Sequence, residues 1–175
     1  NQYKNVDFEI GDIRRKDSII SAINKFKQEV CINASALKHI HICEANPYEC
    51  IQTNVLRNQN IIVAIQQKKH QVEGHIFTST DKACKPINVY GMCKSISERM
   101  YQNFAKYNKD IKVAIVRYGN VLESTGSVIP FFKKIIAGYR PDGGYMNDVS
   151  GFIPITHSEM TRFFLTLEDA ITLLI

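Results

Sequence analysis

The sequence contains no uninterrupted apolar run longer than five residues, and that run is IIVAI at residues 61–65. A membrane-spanning helix needs about 20 mostly apolar residues, so no membrane segment is expected. The polar start of the chain lacks the apolar core of a signal peptide, which makes a cytoplasmic location the default prediction. The 5 cysteines are odd in number and none is spaced as Cys-x-x-Cys, a pattern that favours reduced thiols over a disulfide framework.

Composition and charge narrow the class of protein. With 45% apolar and 22% charged residues, the chain has the composition of a globular domain and not of a disordered or collagen-like one. The formal net charge is +5, but the basic residues are scattered. A mixed solvated surface is therefore expected instead of a nucleic-acid interface, and the same charge suits an anionic small molecule.

Short apolar runs alternate with longer amphipathic stretches. The pattern predicts strands at 6–10, 29–33, 75–79 and 112–118. It predicts one helix that begins with Asp17 or Ser18 as its N-cap, and further helices at 48–68, 89–107, 128–137 and 168–175. Residues 138–151 are predicted as a loop. Alternating strands and helices indicate βαβ units and a parallel sheet. Because such sheets bind ligands at the carboxyl ends of their strands, chemistry is expected near Gly11, Asn33, Thr80 and Tyr118.

The most informative stretch is Ser79-Thr80-Asp81-Lys82, followed by Tyr90 and Lys94. Tyr90 and Lys94 are four residues apart, so on a helix they share one face. A lysine ammonium beside a phenol favours the phenolate, which predicts a lowered Tyr90 pKa and a base for a sugar hydroxyl near neutral pH. The plain alternative is a strand-to-helix loop with a surface ion pair.

These residues, with Pro86, Asn88 and Gly91, resemble the extended short-chain dehydrogenase/reductases, most of all the inverting UDP-N-acetylglucosamine 4,6-dehydratases of polysaccharide biosynthesis. Segments along nearly the whole chain agree in order: Gly11-Asp12-Ile13-Arg14, Ala36-Leu37-Lys38-His39, Thr53-Asn54-Val55, Val116-Arg117-Tyr118-Gly119-Asn120, Gly126-Ser127-Val128 and Met160-Thr161-Arg162. The resemblance implies a Rossmann-like parallel sheet flanked by helices, with residues 1–125 as a partial NAD(P)-binding domain and 126–175 as part of a substrate-binding region.

The resemblance also implies the roles of the motif. Thr80, Asp81, Lys82, Tyr90 and Lys94 would be the catalytic residues. Tyr90 would deprotonate the carbon-4 hydroxyl, Thr80 would hydrogen-bond that oxygen, Lys82 would remove the carbon-5 proton, and Asp81 would protonate the departing hydroxyl. Retaining dehydratases carry Asp-Glu after the threonine and epimerases carry small residues, whereas the inverting enzymes carry Asp-Lys as here.

The same resemblance implies the binding residues. The cofactor, NADP with NAD as the alternative, would be held by Asp12, Ile13, Ala34, Ser35, Ala36, Lys38, Asn54, Tyr90, Lys94 and Tyr118. A UDP-sugar would contact Lys38, Thr80, Asp81, Lys82, Asn120, Val128, Pro130 and Arg162, where the guanidinium suits a diphosphate. No metal is implied, although His39, His41 and Cys43 would face one way on an extended strand. The helices at 48–68 and 89–107 imply a homo-oligomer.

One departure from the family keeps alternatives open. The sequence has no GxGxxG turn for the pyrophosphate, so the first βαβ unit of the resembled fold is expected to be missing. The chain is interpreted as part of a dehydratase. A UDP-sugar 4-epimerase, or a relic or interaction module that no longer catalyses, are the alternatives.

Overall fold

The computed structural model describes residues 5–138, 153, 155 and 157–175. The chain divides into two compact units, Asn1–Arg117 and Tyr118–Ile175. The predicted functional division into residues 1–125 and 126–175 stays a prediction. The elements, in chain order, are α1 (Lys16–Phe26), β1 (Val30–Asn33), α2 (Ile40–Ala45), α3 (Pro47–Ile51), α4 (Arg57–Gln67), β2 (Gly74–Thr80), α5 (Val89–Tyr107), β3 (Lys112–Tyr118), β4 (Asn120–Val121), α6 (Val128–Ile136), β5 (Phe164–Leu165) and α7 (Leu167–Thr172).

The first unit is built on a three-stranded sheet in the order β1-β2-β3. Strands β1 and β2 are parallel, with Val30 opposite Gly74 and Asn33 opposite Phe77. The core consists of apolar side chains from the sheet and from helices α1, α4 and α5, including Ile23, Ile65 and Phe77. The predicted parallel, Rossmann-like sheet flanked by helices is confirmed.

Helix α5 begins where its sequence predicts. Asn88 lies before its first turn in an extended conformation, and its side-chain Oδ1 accepts a hydrogen bond from Gly91 N at 2.8 Å. This N-cap satisfies one of the amide donors that the first turn of a helix leaves unpaired. The predicted bounds of α5 and β3 match the structure.

The predicted helix at 48–68 forms as three consecutive pieces. Helix α3 leads into a π-helical turn, Gln52–Leu56, which leads into α4. Such a turn inserts one residue into an α-helix and is frequent at functional sites. It places Asn54 and Val55 in the interior.

Two predictions are wrong, one of a strand and one of a helix cap. Residues 6–10 form no strand, and Phe8 and Ile10 are exposed. This segment pairs with none of the described strands, and a strand requires a backbone partner. Helix α1 starts one residue before Asp17, with Arg15 as its N-cap and no side-chain cap.

Other differences are smaller. Residues 40–45 form helix α2, which periodicity did not predict. Helix α7 spans Leu167–Thr172 and is shorter than the predicted 168–175. The predicted loop at 138–151 lies outside the described residues except for Gly138. Within the described part of the chain, no helix is long and apolar enough to cross a membrane.

The second unit contains a parallel pair of short strands, β4 and β5, and the helices α6 and α7. Asn120 N donates to Phe163 O at 2.7 Å, which joins the strands at their start. A Cβ at Gly119 would lie 2.6 Å from Phe163 O, so only glycine permits this approach. Thr166 and Asp169 form a reciprocal capping box at α7.

Candidate active site

The candidate site lies at the carboxyl edge of the sheet in the first unit. Because β1 and β2 are parallel, they end at the same edge, β1 at Asn33 and β2 at Thr80. Thr78 Oγ1 donates to Asn33 O at 3.1 Å, which ties the two strand ends together. This is the edge at which a parallel α/β sheet binds ligands.

Thr80, Asp81 and Lys82 form one hydrogen-bonded group. Thr80 Oγ1 donates to Asp81 Oδ1 at 2.9 Å, and Lys82 Nζ donates to the same oxygen at 2.9 Å. Burial works to raise the pKa of Asp81, but the hydrogen bonds from Lys82 and Thr80 outweigh it and hold the pKa below its ordinary value. The turn therefore presents a carboxylate and an ammonium side by side.

Tyr90 and Lys94 share a face of α5, as the spacing predicts, but the predicted effect on Tyr90 is wrong. Burial, with Cys43, Asp81 and Cys50 nearby, raises the pKa of Tyr90 to about 12. Lys94 donates to Thr78 O at 2.8 Å and lies 4.5 Å from the centre of the Phe77 ring. The ammonium is thus directed at β2, and a buried phenol without a cation directed at it is harder to ionise.

Lys94 is itself perturbed by its surroundings. It is only 3% exposed, and burial lowers its pKa to about 8. A carbonyl and an aromatic face stabilise an ammonium less than water does, so desolvation dominates. At neutral pH the structure holds a buried cation one turn from a neutral phenol.

The turn after β1 carries three small side chains, Ala34, Ser35 and Ala36. Ser35 donates to Asn33 Oδ1 from both its backbone N, at 3.1 Å, and its Oγ, at 2.6 Å. Asn54 accepts from Leu37 N and donates to Leu37 O, both at 2.8 Å. The amide of Asn54, predicted to contact the cofactor, holds the backbone of this turn in place.

A buried polar network below the turn was missed by the sequence reasoning. Asn33 Nδ2 donates to Asn58 Oδ1 at 2.7 Å and to Tyr101 OH at 3.0 Å. Asn58 Nδ2 donates to Ser97 Oγ at 2.9 Å. Since these side chains come from β1, α4 and α5, the network fixes the end of β1 against both helices. Asparagine in a helix carries no sequence signal that marks it as buried.

A second missed group surrounds Glu98. Arg117 Nε and Nη2 donate to its two carboxylate oxygens at 2.8 and 2.6 Å, and Ser79 Oγ donates at 2.6 Å. A signal for it existed, because Glu98 follows Lys94 by one helical turn and lies on the same face.

The cofactor residues predicted before β1 lie on the same unit. Ile13 lines a cavity of about 270 Å³ together with Ala34 and Ser35. Asp12 is bound to Arg14, whose hydrogen bonds lower the pKa of Asp12 to about 2. Lys38 is exposed at the end of the turn.

These residues fit the predicted dinucleotide in part. The small side chains of residues 34–36 leave the backbone accessible where a parallel strand ends, and Ile13 adds an apolar wall of the kind that a flat ring needs. Tyr90 and Lys94 lie at the same sheet edge. The sequence has no glycine-rich turn for the pyrophosphate.

The remaining predicted residues belong to the second unit. Val128 and Pro130 line one cavity of about 310 Å³. Tyr118 OH donates to Ala170 O at 2.9 Å. Arg162 is exposed and donates to Thr161 O at 2.6 Å, and Asn120 is half-buried beside Phe163.

A metal site at His39, His41 and Cys43 required these residues to face one way on an extended strand, and they do not lie on a strand. His41 and Cys43 lie on helix α2 and His39 precedes it, so the three do not alternate along a strand. No group of three His, Cys, Asp or Glu residues suited to a metal is present among the residues that the structure describes.

Known proteins resemble this chain over almost its whole length. It is 40% identical over 164 residues to the UDP-N-acetylglucosamine 4,6-dehydratase (inverting) of Campylobacter jejuni, covering 93% of this chain and 45% of that protein. It is 36% identical over 172 residues to the UDP-glucose 4-epimerase of Rickettsia bellii, covering 97% of this chain and 46% of that protein. The chain thus spans about half the length of these relatives.

A solved structure confirms the fold. The UDP-glucose 4-epimerase of Thermus thermophilus in complex with NAD superposes with a TM-score of 0.77 at 18% identity, covering 97% of this chain and 59% of that one. The family model described as polysaccharide biosynthesis protein matches residues 1–175. The chain therefore belongs to the polysaccharide biosynthesis protein family.

Proposed function

We propose that this chain carries the catalytic segment of an inverting 4,6-dehydratase that acts on UDP-N-acetylglucosamine. The observation that carries the proposal is the Thr80–Asp81–Lys82 group, in which one carboxylate accepts from both neighbouring side chains at 2.9 Å. Removal of water from carbons 5 and 6 of a sugar requires one base and one acid close together. The 40% identity to an inverting dehydratase supports the same assignment.

A nicotinamide dinucleotide, held by residues 12–13, 34–36 and 38 and by Tyr90 and Lys94, would accept the hydrogen of carbon 4 with its electron pair and return it at carbon 6. Tyr90 takes the proton of the carbon-4 hydroxyl, and Thr80 Oγ1 hydrogen-bonds that oxygen. Since the Tyr90 pKa of about 12 is too high for this role, binding must bring positive charge to the phenol.

The carbon-4 ketone acidifies the proton on carbon 5. Lys82 removes this proton, and Asp81 gives a proton to the carbon-6 hydroxyl, which leaves as water. A proton from solvent then adds to carbon 5 on the opposite face, which inverts this carbon. Substrate is thus converted to a 4-keto-6-deoxy sugar and water, with no net oxidation.

The hydrogen bond between Lys82 and Asp81 suits both roles. As a pair of ions, neither residue can act as proposed, because the amine is protonated and the carboxyl is not. Transfer of one proton along the 2.9 Å contact converts them to a neutral amine and a neutral acid. Exclusion of water by a bound sugar favours this neutral pair, because desolvation penalises charge.

The second candidate is a UDP-sugar 4-epimerase. The 36% identity to such an enzyme supports it, and Tyr90, Lys94 and Thr80 would serve it equally. An epimerase removes no water, so it has no use for the Asp81–Lys82 pair. A chain that keeps the motifs without catalysis is the third candidate.

Two measurements separate the candidates. NADP⁺ and NAD⁺ are each added to the 175-residue chain, and a raised melting temperature indicates binding to the native state, whereas no rise with either favours the relic. UDP-N-acetylglucosamine is then incubated with the protein in deuterated water. A 4-keto-6-deoxy product with deuterium at carbon 5 supports the dehydratase, and a carbon-4 epimer without water loss supports the epimerase. The homo-oligomer, the cytoplasmic location, and the substrate contacts of Asn120, Val128, Pro130 and Arg162 stay predictions.

A further inference from the structure

Helix α5 carries a third polar residue on the face of Tyr90 and Lys94. Glu98 follows Lys94 by four residues and is only 3% exposed, although it bears a carboxylate. An ionised carboxylate is rarely buried without partners, because its desolvation costs several kcal/mol. Its surroundings therefore need an explanation.

The carboxylate of Glu98 connects three elements. Ser79, on β2, donates to Oε1 at 2.6 Å, and Arg117, on β3, donates to both oxygens at 2.8 and 2.6 Å. Burial works to raise the pKa of Glu98, but the hydrogen bonds from Arg117 and Ser79, together with the charges of Arg117 and Arg99, hold it below its ordinary value. Glu98 is thus a fixed negative charge at neutral pH.

The end of β2 is held to α5 at two consecutive residues. Lys94 Nζ binds Thr78 O and Glu98 binds Ser79 Oγ, so adjacent residues of the strand meet adjacent turns of the helix. The next residue of β2 is Thr80, and the preceding turn of α5 carries Tyr90. These two contacts set the position of α5 along β2 and bring Thr80 and Tyr90 to the same sheet edge.

The groups facing Lys94 are few. From β2 it meets the Thr78 carbonyl and the Phe77 ring, which are neutral, and on its own helix the carboxylate of Glu98 favours its charged form. Arg117 pairs with that carboxylate, with its Nη2 2.6 Å from Oε2. Among the residues that the structure describes, Glu98 is the anionic group that acts on the buried amine.

We propose that Glu98 is a positioning residue for the Tyr90–Lys94 pair: it holds the end of β2 against α5 and supplies the negative charge that keeps Lys94 protonated. The catalytic part of this inference rests on the proposed function, whereas the electrostatic part concerns the chain alone. Arg117 keeps Glu98 ionised and oriented.

The test is a pH titration of Lys94 in the full chain, in which NMR monitors the Nζ and Cε nuclei of this residue. The Lys94 signals are assigned by their absence from a Lys94→Arg variant. In Glu98→Gln the amide still accepts from Ser79, but the charge is gone. The Lys94 pKa of about 8 should then fall by roughly one pH unit. A purely structural role predicts the opposite sign, because loosening lets water reach Lys94 and raises its pKa. A rise or no change overturns the proposal.

Two further variants complete the experiment. Glu73→Gln removes an exposed carboxylate of the same unit and should leave the Lys94 titration unchanged. If Glu98→Gln does not fold, Arg117→Met carries the test: without the Arg117 cation the buried Glu98 carboxyl takes up a proton, so the Lys94 pKa should fall while the circular dichroism spectrum stays native. An unchanged or raised Lys94 pKa in Arg117→Met overturns the proposal.

Activity supplies an independent readout. In assays with dinucleotide and UDP-sugar, the Glu98→Gln variant should have a kcat several-fold below that of the wild type and a shifted pH profile of kcat. Its KM should be nearly unchanged. If the wild-type chain binds no dinucleotide, the proposed function fails, but the titration of Lys94 still decides the role of Glu98.

Discussion

The main-chain carbonyl of Lys82 lies directly against Gly91, in the space that a Cβ at position 91 would occupy. The contact presses the first turn of α5 onto the turn that carries Asp81 and Lys82. It is possible only because residue 91 has no side chain. This backbone contact brings the first turn of α5, which carries Tyr90, close to the turn that carries Asp81 and Lys82.

Substitution Gly91→Ala should be costly. The added methyl group meets the backbone of Lys82, which cannot rotate away as a side chain could. We expect a loss of about 1–3 kcal/mol in the free energy of unfolding, measured by urea denaturation. The control is Gly11→Ala, whose Cβ would have its nearest neighbour at 3.9 Å and should change stability little. Equal stability of the two variants would show that the turn can move.

Lys94 should make stability depend on pH in the alkaline range. Its pKa is about 8 in the folded chain and about 10.4 when unfolded, so between these values the unfolded state binds more protons. This group therefore adds stability as pH rises through that window, by up to about 3 kcal/mol. Tyr90 has the opposite effect between pH 10 and pH 12, where the unfolded state has lost the phenol proton that the folded state keeps.

The contribution of Lys94 is isolated by comparison with Lys94→Met. Between pH 8 and pH 10, the unfolding free energy of the wild type should increase relative to that of this variant. A difference that stays constant over this range contradicts the burial of a titrating amine.

His75 should make folding stability depend on pH in the acidic range. It is fully buried on β2 with its ring 4.6 Å from that of Tyr101, and burial lowers its pKa to about 4. Between pH 4 and pH 6.5 the unfolded state binds more protons, so stability falls as pH falls through this window. A His75→Phe variant lacks this group. Its denaturant midpoint should decline less than that of the wild type between pH 6.5 and pH 4.

Lys82→Met should separate the steps of the proposed reaction. Tyr90, Lys94 and Thr80 remain, so hydrogen transfer from carbon 4 to the dinucleotide should proceed and be visible as absorbance of the reduced cofactor. Loss of the base should reduce water elimination by a factor of about 10²–10⁴. The control is Lys85→Met, which removes an exposed lysine three residues away. Dehydration at the wild-type rate would remove Lys82 from the mechanism.

The sequence predicts well those elements whose signals are local. Helix α5 has a capping asparagine and a long apolar period, and β3 has a continuous apolar run, and both form within the predicted bounds. The segment 6–10 has an equally clear alternation but forms no strand, because alternation describes the faces of a strand and not its neighbours. Pairing is a long-range property that one segment does not encode.

In the candidate site, too, some features follow from the local sequence and others depend on tertiary packing. The four-residue spacing of Tyr90 and Lys94 follows from helix geometry, and the structure places both on one face. The direction of the Lys94 ammonium does not follow from it, because Thr78 O on another strand competes for that charge. Asn33, Asn58 and Tyr101 are far apart in sequence, and only the packing of β1, α4 and α5 makes them neighbours.

The π-helical turn Gln52–Leu56 has a consequence for insertions and deletions. One extra residue in a helix rotates everything after it by about 100° relative to what precedes it. Cys50 in α3 and Ile61 in α4 are both buried in the presence of that rotation. Deleting a single residue from this turn would restore regular hydrogen bonding, yet it would turn one of the two helices away from the core. The segment accepts substitutions more readily than a change in length.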